Sequence, residues 1–201
     1  MKVRRVGASA LLIECTGPAA VEGWRAELWR RREIGDLDAV EIVPGARTVL
    51  LDGVPPGTEE RLAAWEPAPD ATPAAGPLVE VPTTFDGDDL ADVAEIWQVT
   101  VEDAVKRLVE TPLTVAFCGF APGFAYLRGL PEAWAVPRLA APRPRVPAGS
   151  VALAGGYAGI YPTASPGGWR LVGHTGLELF TVRAEQPALL SPGTRVQLVQ
   201  Q

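Results

Sequence analysis

The fold of this chain depends on two neighbouring stretches, CGFAPGFAYLRGLP at residues 118–131 and VPRLAAPRPRVPAGSVALAGGYAGIYPTASPGGWRLVGHT at residues 136–175. Glycine and proline recur every few residues. Because proline fixes φ while glycine permits φ > 0, the backbone of such a segment is tightly constrained. The aromatic and β-branched residues between them argue against disorder. We therefore predict rigid loops on a β scaffold, with the active or binding surface on these loops.

The C-terminal half as a whole favours short β-strands. Turns rich in glycine and proline separate six segments of strand-like composition: LTVAFCGF at 113–120, SVALAG at 150–155, AGIYP at 158–162, WRLVG at 169–173, LELFTV at 177–182 and TRVQLV at 194–199. Many short strands with turns between them are typical of a barrel or a sandwich.

The N-terminal part predicts a small α/β domain. Its predicted elements are strands at 2–14 with a break near Gly7, a helix at 18–34, strands at 37–43 and 47–51, and a short helix at 58–65. Residues 66–77 are rich in proline and alanine, which is typical of a linker. The sequence therefore predicts an α+β protein, with a small α/β N-terminal domain at 1–76 and a β-barrel domain at 77–201.

Residues 86–110 predict a helical hairpin, at about 88–110, within the second domain. Thr100 is expected to cap its second helix, with Asp103 at the third helical position. The pattern resembles the helix-turn-helix of bacterial repressors. We favour a hairpin packed on the sheet, because DNA affinity requires phosphate neutralisation and acidic residues balance Lys106 and Arg107 on the second helix.

The composition argues against several classes of protein. The 201 residues are 47% hydrophobic, enough to bury a core, and the formal net charge of −6 offers no electrostatic footprint for nucleic acid. No apolar run is long enough to span a bilayer, and no secretory signal opens the chain. Cys15 and Cys118 are the two cysteines. We expect a cytoplasmic protein with free thiols that binds neither nucleic acid nor a membrane.

His174 and two arginines are the candidates for chemistry. His174 is the only histidine, so it is either a proton carrier or a turn residue, and it cannot be half of a two-histidine metal site. Arg138 and Arg143 lie, together with Arg145, in PRLAAPRPRVP, where four prolines hold the backbone. Rigidly held guanidinium groups suit a carboxylate or phosphate, but the three arginines could equally bond loop carbonyls.

Several common sites are missing from the sequence. Ser150 and Ser165 lie outside any nucleophile-elbow pattern, and Cys118 has no identified activating partner, so we do not expect a nucleophile. No P-loop, dinucleotide fingerprint or metal-ligand cluster occurs. Met1 is the only methionine, so the Met-Lys-Met type of biotin attachment site is absent. We expect no metal or biotin site on this chain.

These motifs together resemble a known family. The segments GFAPGFAYLRGLP, VPRLAAPRPRVPAGSVALAGG, GIYP, SPGGWRLVG and LLSPGTRV are similar to those of the family variously called allophanate hydrolase subunit 1, the B subunit of 5-oxoprolinase and KipI. They are also similar to one half of the carboxyltransferase domain (subdomains C and D) of urea carboxylase. The resemblance implies a cyclophilin-like β-barrel after a small α/β domain.

The resemblance also implies a site with three walls. Its matching residues are Gly119, Phe120, Pro122, Gly123, Phe124 and Tyr126 in the first wall, Arg138, Arg143, Pro147, Gly149 and Ser150 in the second, and Gly159, Tyr161, Pro162, Ser165, Pro166, Gly167, Gly168 and Trp169 in the third. We assign catalytic roles to Arg138, Arg143 and His174. We assign substrate binding to Gly119, Phe120, Pro122, Gly123, Phe124, Tyr126, Ser150, Tyr161, Ser165, Gly167, Gly168 and Trp169. The family often has Gln at Tyr157, Arg at His174, and a His-Thr or His-Ser pair where residues 108–110 stand here.

The family's activity sets two hypotheses. In the first, the chain is one component of an ATP-dependent amide or lactam hydrolase, such as a 5-oxoprolinase, and is inactive alone. ATP would bind on or with the partners, a second subunit similar to allophanate hydrolase subunit 2 or the C subunit of 5-oxoprolinase, and a third similar to the A subunit of that enzyme. The aromatics, Phe124 and Trp169 above all, would be exposed and dock the second subunit. In the alternative, the chain is a KipI-like inhibitor that binds a sensor histidine kinase.

Overall fold

The computed structural model describes residues 2–67 and 76–201. The chain divides into two compact units, residues 1–74 and residues 75–201. Positions 68–75 of the predicted linker lie outside the described residues. Each unit has a hydrophobic core of its own.

The N-terminal unit is a four-stranded antiparallel sheet with one long helix. Its elements are β1 Lys2–Val6, β2 Ala10–Glu14, α1 Pro18–Glu33, β3 Glu41–Pro44, β4 Thr48–Asp52 and α2 Thr58–Leu62, with the strands in the order β1-β2-β4-β3. Alternate residues of β2 point inward, so Leu11 and Ile13 share one buried core with Trp24 and Leu28 of α1. Gly7, at φ 64°, turns the chain between β1 and β2 where the break is predicted.

The C-terminal unit contains the longer sheet and a helical hairpin. Its elements are β5 Leu78–Thr83, α3 Leu90–Ile96, α4 Val101–Glu110, β6 Leu113–Cys118, β7 Ala125–Arg128, a short 3-10 helix Glu132–Trp134, β8 Arg143–Val146, β9 Ser150–Ala154, β10 Tyr157–Ile160, β11 Ser165–Gly167, β12 Arg170–His174 and β13 Arg195–Gln200. Seven of these strands form one sheet in the order β12-β9-β10-β7-β6-β13-β5, and β8 pairs with β11 in a separate ribbon.

The seven-stranded sheet nearly closes into a barrel. Thr84, which follows β5, exchanges two backbone hydrogen bonds of 2.9 Å with His174 at the end of β12, and these bonds join the two outer strands. Side chains such as Val81, Leu127 and Leu153 are fully buried in the core. Closure removes exposed strand edges. The predicted α+β class with a β-barrel domain is confirmed.

The helical hairpin packs on the barrel. Val93 of α3 and Leu108 of α4 are buried in the same core as the barrel strands. The Thr100 hydroxyl accepts a hydrogen bond of 3.1 Å from the amide of Asp103, so the predicted cap forms. The turn between the helices contains Gln98 at φ 54°, a conformation that favours glycine. The geometry agrees with a structural hairpin.

One predicted strand is wrong. Residues 177–182 form an irregular segment whose only pairing in the described structure is a single bridge from Phe180 to Ala188. Leu179 is buried and accepts a backbone hydrogen bond from Leu189, whereas Val182 is 78% exposed. The alternating apolar pattern therefore reflects side-chain packing in a folded loop. Among the described residues, no barrel strand pairs with this segment to form a β-ladder.

The ribbon of β8 and β11 lies where loops are predicted. Pro144 and Pro166 fall inside these strands, and proline removes an amide donor. A two-stranded ribbon tolerates proline, because only one side of each strand must carry ladder hydrogen bonds. The ribbon brings Arg143 opposite Gly167. It therefore links the proline-rich loop to the segment that precedes β12.

Candidate functional site

A cavity of about 120 Å³ opens in the C-terminal unit where the glycine-rich and proline-rich loops meet. Its lining consists of Phe120, Phe124, Tyr126, Arg138, Tyr161, Gly167, Gly168 and Trp169. All eight are among the residues assigned to the site from the sequence. They come from four separate segments of the chain, which the barrel and the ribbon bring together.

The inner wall is a packed group of aromatic rings centred on Phe124. Its ring meets those of Tyr126, Tyr161 and Trp169 edge-on, with centroid distances of 5.1, 5.3 and 5.6 Å. Edge-to-face packing at these distances is favourable. Phe124, Tyr161 and Trp169 are 1%, 2% and 5% exposed, so the wall is rigid and dry. The expectation that Phe124 and Trp169 are exposed is therefore wrong.

Two glycines allow the rings to approach the backbone. A Cβ atom added to Gly159 would lie 2.9 Å from Phe124 Cζ and 3.0 Å from Trp169 Cζ3. A Cβ atom added to Gly167 would lie 2.3 Å from the Tyr161 hydroxyl oxygen. The 2.9 Å and 2.3 Å separations are shorter than Cβ contacts in real structures, so both positions require glycine for the rings to pack in this way.

Arg138 is the charged group of the cavity. Its guanidinium lies 5.9 Å from the centre of the Trp169 ring. The backbone on either side is fixed, because Leu139 donates a hydrogen bond of 2.8 Å to the Gly168 carbonyl and Arg170 Nε donates one of 3.0 Å to the Pro137 carbonyl. Arg138 itself is exposed and takes part in none of the ion pairs of the described residues. Its charge is therefore available to an anionic ligand.

Tyr161 adds a neutral hydroxyl to the same cavity. Burial raises the pKa of Tyr161 above its ordinary value, and a hydrogen bond from the Trp169 backbone and the charge of Arg138 oppose this rise. The phenol therefore stays protonated near neutral pH. It can donate one hydrogen bond to a ligand beside Arg138.

Arg143 is held elsewhere and does not line the cavity. Its Nη2 donates a hydrogen bond of 2.8 Å to Asp89 Oδ1, and Asp89 Oδ2 accepts one of 2.7 Å from the Leu171 amide. The hydrogen bond to Asp89 raises the pKa of Arg143 above its ordinary value. The Asp89 side chain is 7% exposed. Arg143 therefore ties the ribbon to the helical hairpin and to β12, and of the two arginines assigned to catalysis only Arg138 belongs to the cavity lining.

His174 also lies outside the cavity lining. Its Nδ1 is 2.8 Å from Asp86 Oδ1, and the two side chains are 55% and 56% exposed. It is the last residue of β12, whereas Trp169 directly precedes the first. The backbone of His174 helps to close the barrel. Of the three residues assigned to catalysis, the structure places Arg138 alone in the cavity.

The remaining assigned residues shape the loops. Gly123 has φ 82°, and a Cβ atom there would come within 2.7 Å of Phe180 Cβ. Ser150 is buried, and its carbonyl accepts a hydrogen bond from the Tyr161 amide. The Ser165 hydroxyl is buried with no hydrogen-bond partner among the described residues. Gly119 and Pro122 belong to the loop that carries Phe120.

Three polar residues that could not be identified from the sequence, Asp89, Asp92 and Arg170, hold the segments that carry the cavity lining. Asp89 holds Arg143 and Leu171, and Asp92 Oδ2 accepts a hydrogen bond of 2.8 Å from Arg170 Nη1. Arg170 in turn holds the carbonyl of Pro137. The only sequence signal is the spacing of two aspartates by three residues at the start of a helix, which does not by itself name their partners.

Two features that would suggest other functions are missing from residues 2–67 and 76–201. No three His, Cys, Asp or Glu side chains there are grouped so that they could hold a metal ion. No helix in those ranges is both long enough and apolar enough to cross a membrane.

Comparison with known proteins gives consistent matches along the chain. The sequence model of the carboxyltransferase domain, subdomain C and D, matches residues 1–190. The B subunit of 5-oxoprolinase from Escherichia coli O157:H7 is 36% identical over 206 residues, which cover 98% of this chain and 94% of that protein. The B subunit of 5-oxoprolinase from Haemophilus influenzae is also 36% identical, over 99% of this chain and 97% of the relative.

Solved structures share the fold. The crystal structure of TTHA0988 superposes with a TM-score of 0.78 at 29% identity and covers 96% of this chain. This chain spans only 40% of the TTHA0988 chain, so that protein contains a further region of greater length.

Proposed function

Because the chain belongs to the carboxyltransferase domain family, subdomain C and D, we propose that it is one subunit of a hydrolase that opens the lactam ring of 5-oxoproline. The observation that carries this proposal is the 36% identity, over 98% of the chain, to a protein named as the B subunit of 5-oxoprolinase. The name of a subunit implies that other subunits exist, and so the proposal includes partners.

The cavity is consistent with such a substrate. Its volume of about 120 Å³ suits one small ring with a substituent. Arg138 would hold the substrate carboxylate, since a guanidinium binds a carboxylate through two parallel hydrogen bonds. The Tyr161 hydroxyl would donate a hydrogen bond to a second polar atom, and the rings around Phe124 would contact the carbon skeleton. These residues bind and orient the substrate and exclude water from one side of it.

This cavity is small for a ligand of the size of ATP. Sites for ligands of drug size or larger usually enclose roughly 300 Å³ or more, whereas this one encloses about 120 Å³. We therefore propose that ATP binds on the partner subunits, where it would supply the driving force for ring opening. One partner would be similar to the C subunit of 5-oxoprolinase or to allophanate hydrolase subunit 2, and a third component would be similar to the A subunit of 5-oxoprolinase. The two unpaired cysteines suit a cytoplasmic location.

The test is reconstitution with the proteins encoded next to this chain. The isolated chain should neither hydrolyse ATP nor open the ring, and the full complex should convert 5-oxoproline to glutamate with ATP. Arg138→Ala should raise the KM for 5-oxoproline about tenfold or more, because a charge-assisted hydrogen bond contributes about 1.5–3 kcal/mol. Arg145→Ala is the matched control, since Arg145 is an exposed arginine of the same proline-rich segment, in β8 and outside the cavity lining. Turnover by the isolated chain, or equal effects of both substitutions, would contradict the proposal.

A further inference from the structure

Phe120 has an unfavourable backbone conformation. Its φ is 72°, and the amide of Ala121 donates a hydrogen bond of 2.9 Å to the carbonyl of Gly119. A hydrogen bond across a single residue at positive φ defines the rarer form of the γ-turn, which is strained. Bulky side chains avoid positive φ because the Cβ atom clashes with the backbone. Among the other non-glycine residues that the structure describes, only Gln98 also has a positive φ.

Burial does not explain why phenylalanine stands here. Phe120 is 62% exposed, and its ring touches the inner wall only at the edge, with centroids 5.2 Å from Phe124 and 6.2 Å from Tyr161. Glycine would adopt the same backbone without strain. A strained residue that gains little from packing is commonly found where a ligand is held.

The surrounding loop holds the strain in place. The Gly119 amide donates a hydrogen bond of 3.2 Å to the Phe124 carbonyl, and the Phe124 amide donates one of 2.9 Å to the Ala121 carbonyl. Gly123 completes the turn at φ 82°. Because three hydrogen bonds fix this short loop, the backbone that carries Phe120 at the edge of the cavity is held in one conformation.

We propose that Phe120 contacts the ligand and determines specificity for a planar ring. Phe120 is the largely exposed aromatic residue of the cavity lining, and so a ligand held by Arg138 can lie against its free ring surface. A flat amide or lactam ring matches a flat aromatic face, whereas a bulkier, non-planar ring of equal charge does not. This inference rests on the proposed function for the identity of the ligand, but not for the role of the ring.

The first arm of the test measures strain through the melting temperature of the full chain. At an ordinary position a protein with glycine is less stable than the same protein with alanine, but at a position with positive φ the glycine variant is the more stable one. Phe120→Gly should therefore melt about 2–4 °C above Phe120→Ala, the shift expected when one modest strain is relieved in a chain of this size. Gln98→Gly and Gln98→Ala form the matched pair, with the same reversal at a position far from the cavity loops in sequence. If Phe120→Ala melts at or above Phe120→Gly, the strain is absent and the inference is overturned.

The second arm measures substrate recognition in the reconstituted complex. Phe120→Ala and Phe120→Gly should each raise the KM for 5-oxoproline about tenfold, the upper range for one aromatic contact. Phe120→Tyr keeps the aromatic ring and should raise the KM less than Phe120→Ala does, whereas Gln98→Gly, outside the cavity lining, should leave the KM near its natural value. An unchanged KM in Phe120→Ala, in a complex that turns over 5-oxoproline normally, overturns the role of Phe120 and leaves the proposed function intact.

Two further outcomes separate the competing explanations. If the unsubstituted complex fails to open 5-oxoproline, the proposed function is overturned, and benzoate binding to the purified chain then probes the cavity by NMR. Loss of benzoate binding in Phe120→Ala supports the inference, and equal binding, or no binding to the unsubstituted chain, overturns it. If Phe120→Ala prevents assembly while ligand binding is unchanged, Phe120 docks a partner protein and the inference is also overturned.

Discussion

The two ends of β12 differ in most properties that a functional site needs. At one end, Trp169 is 5% exposed and packs edge-on against Phe124 beside the cavity. At the other end, the side chains of His174 and Asp86 are 55% and 56% exposed and pair in solvent. The first end is dry, rigid and lined by several segments of chain, and the second is a seam where the barrel closes.

This difference shows why residue type alone misplaces a site. A lone histidine suggests proton transfer because its pKa lies near neutral pH in general. Charges and hydrogen bonds act more strongly, however, in a cavity from which water is excluded. Buried rings, among them Tyr161 and Trp169, exclude water from one side of the cavity that Arg138 lines. The lining residue closest in sequence to His174 is Trp169, five positions before it. Predictions about either end therefore test the comparison directly.

The largest loss of stability is expected from substitution of Asp89, which supports the Trp169 end of β12. Asp89→Ala leaves Arg143 and the Leu171 amide without their partner, and removing one member of a mostly buried pair costs about 3 kcal/mol. Asp92→Ala is the control, because the Asp92 side chain is 57% exposed in its pair with Arg170, and exposed pairs contribute about 0–1 kcal/mol. Urea titration of the full chain measures both. Equal losses of stability in the two variants would mean that the buried Asp89 pair contributes no more than the exposed Asp92 pair, which would contradict the prediction.

A smaller loss of stability is expected from Gly167. Gly167→Ala forces a Cβ atom to within 2.3 Å of the Tyr161 hydroxyl oxygen, and overpacking of this kind costs about 1–3 kcal/mol. The neighbouring Gly168→Ala is the control, because its nearest contact would be an ordinary 3.6 Å to Pro142. Thermal unfolding compares the two. If Gly168→Ala lowers the melting temperature as much as Gly167→Ala, the aromatic wall is not the cause.

Much of the fold could be predicted from the sequence because its signals are local. Proline at the first turn of α1, the Thr100 cap and the glycine break at Gly7 all depend on neighbouring residues, and each is found in the structure. The segment 177–182 was not predictable in this way. Its alternating pattern is that of a strand, but a strand also needs a partner across the sheet, and among the residues that the structure describes this segment forms only one bridge.

The site shows the same limit. The cavity-lining residues could be named because glycines, prolines and aromatics cluster in one stretch, although their burial could not. Arg138 and Arg143 stand five positions apart in one proline-rich loop and look equivalent in the sequence. Their difference depends on Asp89, which lies 54 residues from Arg143 and meets it only in the folded chain. Long-range pairing of this kind has no signal in a single sequence.

The smallest effect on stability and on kcat is expected from substitution of His174, although the sequence suggests a catalytic role for this residue. His174→Gln removes a solvent-exposed pair with Asp86, and such a pair contributes about 0–1 kcal/mol. The backbone bonds between His174 and Thr84 do not need the imidazole, so the barrel should still close. In the reconstituted complex, kcat for 5-oxoproline should stay within about twofold, since removing a general acid or base would instead cost about 10²–10⁴-fold. Asp86→Asn should behave in the same way. A hundredfold loss of kcat in His174→Gln, with unchanged melting temperature and assembly, would return catalysis to this end of β12 and overturn the comparison.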